Sequence, residues 1–75
     1  MNNERRARIE AIKAKIEELQ NELSPIAEEE RDAFDAMPEG LQQSERGQAS
    51  ETAADALDEA VSSLESAVSE LDAIE

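Results

Sequence analysis

The sequence predicts an all-α fold: an antiparallel, coiled-coil-like two-helix hairpin that dimerises into a four-helix bundle. Three observations predict it. The composition is rich in Ala, Glu and Leu, with thirteen alanines, two valines and one aromatic residue, which is a helix-forming set. Apolar residues step by three and four on both sides of a central break, the period of a helix face. The break itself, "MPEGLQQSERG" at residues 37–47, holds both glycines and one of the two prolines.

The first helix is expected over about 3–36. Ile9, Ile12, Ile16, Leu19, Leu23 and Ile26 form an a/d heptad seam. The register continues past Glu30 to Ala33 and Met37, with Phe34 alongside. Pro25 interrupts it chemically, since proline donates no hydrogen bond and crowds the carbonyl four residues back, that of Asn21. Because the apolar register survives across Pro25, one kinked helix is favoured. The alternative is a new helix with Ser24 as N-cap and Pro25 at its first position.

The turn, 37–43, follows from local chemistry. Pro38 ends the first helix, because the residue before a proline is pushed out of helical geometry. Gly40 is expected to supply a positive-φ position, and Leu41 to cap the core. Ser44 is the candidate N-cap of the second helix, with Glu45 in its favourable first turn. Gly47 then falls near the helix start, where glycine costs up to ~1 kcal/mol relative to alanine.

The second helix is expected over about 44–74 and contains a short repeat: ADALDEA, VSSLESA, VSELDAI. Its columns are Ala54, Val61, Val68; Leu57, Leu64, Leu71; and Ala53, Ala60, Ala67, Ile74. This face is wider than a two-stranded seam requires. It suits burial against more than one neighbour, as in a bundle of two hairpins. The oligomer core is therefore expected at Ile9, Ile12, Ile16, Leu19, Leu23, Leu57, Val61, Leu64, Val68 and Leu71.

Size points the same way. Seventy-five residues bury too little surface to be comfortably stable unaided. With no cysteine and no histidine, disulfides and the usual zinc and iron ligand sets are excluded. Oligomerisation, a homodimer, is the remaining support. No cofactor or metal is expected. No apolar run approaches a membrane span, and the start lacks a signal-peptide core, so the chain reads as cytoplasmic, without a membrane partner.

Net charge is −13, and it is unevenly placed. Residues 1–16 carry five basic side chains against two acidic ones, and residues 17–75 carry −16. A hairpin lays the basic start beside the acidic tail at Glu65, Glu70, Asp72 and Glu75. Residues 28–59 carry eleven acidic and two basic side chains, −9 in all, and a hairpin gathers them near the turn. Such a field disfavours direct nucleic-acid binding and favours a basic protein partner. It is also compatible with a merely solvated surface. The candidate partner-binding residues are Glu28, Glu29, Asp32, Asp35, Glu39, Gln42, Gln43, Glu45, Arg46, Glu51 and Asp55. Gln42, Gln43 and Arg46 are included because turn formation alone does not require them. Catalysis would rest on carboxylates and serines alone, without His, Cys or Tyr, and solvated carboxylates lack the burial that tunes an acid or base; the chain reads as a non-enzyme.

With "ERRARIEAIKAKIEELQNEL", "MPEGLQQSERG" and "ALDEAVSSLESAVSELDAI" in view, the chain resembles a group of small acidic coiled-coil proteins of bacteriophages and prophages. The resemblance spans nearly the whole chain. Its specific part is the turn: Met37, Pro38, Glu39, Leu41, Gln42, Ser44, Glu45, Arg46 and Gly47. It implies a helical hairpin working in a bacterial host cytoplasm and carries no assigned activity. A phage setting implies a non-enzymatic inhibitor that binds a bacterial defence or DNA-processing protein, such as a CRISPR effector, through a DNA-mimic-like acidic surface. The alternatives are a helical assembly or adaptor protein and, third, an oligomeric sponge for a signalling nucleotide.

Overall fold

The computed structural model of the chain describes residues 2–74. It is all-helical, with three helices in order: α1, Asn3–Asp35; α2, Glu39–Gln42; and α3, Glu45–Asp72. The long helices α1 and α3 pair in opposite directions. Lys13 meets Asp72, Gln20 meets Glu65, and Arg31 meets Asp55 and Asp58, so partner numbers fall as residue numbers rise. The resulting rod measures 58 × 15 × 13 Å. Its radius of gyration, 17.1 Å, far exceeds the ~11 Å of a compact chain of this length.

Helix α1 starts at Asn2, whose side-chain oxygen accepts the Arg5 backbone N–H at 2.7 Å. This satisfies one of the orphan donors of the first turn. The helix then runs unbroken through Pro25, so the division at Ser24 does not occur. Pro25 and Asn21 are both exposed. The Asn21 carbonyl, left without its usual donor, therefore faces water rather than a dry interior, which limits the cost of the proline.

The pairing seam differs from the expected one. Ile9, Ile16 and Leu23 are half-buried as expected, but Ile12, Leu19 and Ile26 are 52%, 55% and 51% exposed. In their place α1 turns Lys13, Gln20, Ala27 and Phe34 toward α3. Each lies four residues after an a position instead of three. This face buries small Ala27 against α3 and also pairs two polar side chains across the seam. Lys13 and Gln20 find Asp72 and Glu65 across the seam, and the Lys13 stem covers apolar surface while its ammonium stays at the edge.

Across the seam, Leu57, Val61, Leu64, Val68 and Leu71 are half-buried, as are Ala60 and Ala67. Ala53 and Ile74 are exposed. Thus most of the wide face of α3 already looks toward α1 and is only partly covered by it. Fully buried apolar side chains among the described residues are Ala27 and Ala54 alone, 4% and 0% exposed. Among these residues no helix is long and apolar enough to cross a membrane.

Candidate functional site

The acidic end is positioned by the turn, and the turn is built from hydrogen bonds. Helix α1 ends with the Ala36 N–H on the Asp32 carbonyl at 2.9 Å and the Met37 N–H on the Phe34 carbonyl at 3.1 Å. Pro38 adopts extended geometry, φ −57° and ψ 148°, and its carbonyl accepts from Leu41 and Gln42. That makes the short helix α2. Ser44 then caps α3: its hydroxyl oxygen accepts the Gly47 N–H at 3.2 Å while the hydroxyl donates to the Leu41 carbonyl.

Two expectations about the turn are corrected. Gly40 lies within α2 and no glycine has positive φ, because a single helical turn, not a positive-φ turn, links the long helices. Leu41 does not cap the core; it is 45% exposed, since α2 presents its backbone rather than this side chain to α3. The glycine that matters is Gly47. It is buried, and a Cβ there would clash with the carbonyl oxygens of Leu41 and Gln42. The backbone of α2 thus rests against the first turn of α3, and only glycine permits that approach.

Gln42 also has a structural task. Its side-chain amide donates to the Phe34 carbonyl at 3.0 Å from a half-buried position, tying α2 to the last turn of α1. Gln42→Ala is expected to cost about 1 kcal/mol, read as a lower urea midpoint with an unchanged slope. The Gln43 carbonyl accepts from the Gln48 side chain at 3.4 Å, a long contact, and the Gln43 side chain is exposed.

The acidic side chains divide into two sets. Asp55 and Asp58 hold the Arg31 guanidinium at 2.6 and 3.0 Å, and Glu30 accepts the Ser50 hydroxyl at 2.9 Å. These lie between the long helices. The bonds to Asp55 and then Asp58 raise the Arg31 pKa further above its already high value. At the other end of the rod, the hydrogen bond to Asp72 raises that of Lys13. The sign is that of a cation favoured by folding: its stabilisation is complete at neutral pH and fades only as pH climbs through the raised value.

The second set is Glu28, Glu29, Asp32, Asp35, Glu39, Glu45, Glu51 and Glu59, all exposed. Arg46 is exposed among them, outside every ion pair formed among the described residues. Among those residues no three acidic side chains converge in a way that could hold a metal ion. What the arrangement offers is dispersed negative charge on a narrow helical end. Of the eleven candidate partner-binding residues, Asp55 and Gln42 are occupied internally, and the other nine project outward. Sequence reasoning missed the Gly47 contact; its only signal was a glycine placed where a helix start disfavours one. Comparison of the chain with protein-family models, with curated proteins and with solved structures finds no match.

Proposed function

We propose that the chain is a non-enzymatic inhibitor of phage type. Its acidic end occupies the basic surface of a bacterial nucleic-acid-binding defence or DNA-processing protein. The supporting observation is charge density. Residues 28–59 carry −9 along a stretch of α3 about 22 Å long at 1.5 Å per residue. That is one net charge per ~2.4 Å, against one per ~1.7 Å of duplex DNA. Ten of the eleven carboxylates in this stretch are exposed. The working unit is a homodimer of hairpins, a four-helix bundle.

The test is capture from bacterial lysate at low salt with mass-spectrometric identification. The wild-type chain is compared with a variant carrying Glu28→Lys, Asp32→Lys and Asp35→Lys. Basic residues near the end of α1 suit its C-terminal dipole, so the variant keeps its fold. The expected result is a basic, nucleic-acid-binding protein held by the wild type and lost by the variant. A second reading, an assembly or adaptor protein, is favoured by the exposed Ile12, Leu19 and Ile26 row. It predicts the opposite pattern: the charge variant keeps its partner and Leu64→Asp loses it.

A further inference from the structure

We infer that two copies of the chain pair antiparallel through α1, along the row Ile12, Leu19 and Ile26, about a two-fold axis at the level of Leu19. This rests on the homodimer reading above and specifies its interface.

The chain exposes 5,518 Å², whereas a compact monomer of 8.2 kDa exposes about 4,500 Å². The excess of about 1,000 Å² exceeds the ~800 Å² each partner contributes to a stable interface. The exposed apolar surface is also concentrated. Ile12, Leu19 and Ile26 recur every seven residues, each more than half exposed. Between this row and α3 runs a groove lined by Leu19, Leu23, Ile26 and Leu64, with Glu22 at its rim. The opposite flank of the seam is polar, lined by Ser24, Glu28, Asp58 and Ser62 beside Ala27 and Val61. One flank suits a second apolar surface and the other suits water.

Charge selects the occupant and its direction. The row bordering Ile12, Leu19 and Ile26 on the side away from α3 reads Arg8, Lys15, Glu22, Glu29, all exposed. Its order is plus, plus, minus, minus. An antiparallel copy sets Arg8 against the partner's Glu29 and Lys15 against the partner's Glu22, so every pair is complementary. A parallel copy sets each charge against its own kind, which is unfavourable. A row that complements itself only on reversal points to a second copy of this chain. Helix length agrees. Leu19 is the midpoint of Asn3–Asp35, so pairing about Leu19 overlaps α1 over its full length. Glu28, Asp32 and Asp35 stay on the outer side of the bundle, clear of this interface.

Because the chain has no cysteine, single-cysteine variants report the geometry cleanly. Under mild oxidation Leu19→Cys is expected to give a disulfide-linked dimer. Ile12→Cys alone and Ile26→Cys alone stay monomeric on a non-reducing gel, since each lies about 20 Å from its own copy, but an equimolar mixture of the two cross-links. Lys15→Glu is expected to weaken the dimer at least tenfold in sedimentation, and Lys15→Glu with Glu22→Lys restores it. Ile12→Cys cross-linking to itself as well as Leu19→Cys does would overturn the antiparallel arrangement. A wild-type dimer in which Leu19→Cys fails to cross-link would overturn this interface and leave the homodimer reading standing. Sedimentation of the wild type at 8.2 kDa would remove both.

Discussion

Gly47→Ala is expected to lower the thermal midpoint by roughly 10–20 °C, the effect of about 2–3 kcal/mol in a domain of this size. The obstacle to the added methyl is backbone, not a flexible side chain: the carbonyl oxygens of Leu41 and Gln42. Relief requires α2 to lift away from the first turn of α3. That movement strains the Ser44 cap, which bridges the Leu41 carbonyl and the Gly47 N–H. It also strains the Gln42 bond to the Phe34 carbonyl. Gly40→Ala is the control. It has open space around its Cβ position and sits in helical geometry, so alanine is expected to be neutral or to add up to ~1 kcal/mol. Equal losses at both glycines in a thermal melt would refute the close approach at Gly47.

Pro25→Ala is the largest expected gain. Proline in a helix interior costs about 3 kcal/mol. Part of that is offset because it also restricts the unfolded chain, by about 0.4–1 kcal/mol. Alanine at 25 restores a donor to the Asn21 carbonyl in a helix that is already continuous there. The net gain is about 2 kcal/mol, a rise of roughly 10 °C. A fall in the midpoint would mean that Pro25 holds a bend the pairing of α1 and α3 depends on.

Several features of this fold were legible in the residues and others were not, for physical reasons. The helix pair follows from the three–four spacing on either side of residues 37–47, and the cap at Ser44 follows from its position before Glu45. The seam was only half legible. The spacing of Ile9, Ile16 and Leu23 marks one edge, but apolar periodicity cannot say which neighbouring row faces the partner helix. The rotation the fold adopts sets Lys13 and Gln20 against Asp72 and Glu65, partners 59 and 45 positions away that no local pattern reveals. The turn was least legible. Gln42 and Gly47 looked superfluous in one dimension and become necessary once α2 packs on the start of α3. The candidate site changed accordingly. Gln42 and Asp55 serve the fold, whereas the exposed carboxylates from Glu28 to Glu51 and the lone Arg46 keep the features that suggested a partner surface.

The division of labour that results gives each surface a separate sensitivity. Reversing Glu28, Asp32 and Asp35 should affect capture of a partner and spare the pairing of copies, while changes at Leu19 or Lys15 should weaken the pairing of copies first. The most direct test of the proposed mimicry is release of the captured protein by duplex DNA. The partner held on immobilised wild-type chain at low salt is eluted against increasing duplex, and in parallel against increasing salt. The account predicts release by duplex at concentrations near that protein's own affinity for DNA, with retention falling steeply as salt rises. Retention unchanged by saturating duplex and flat across the salt series would contradict it.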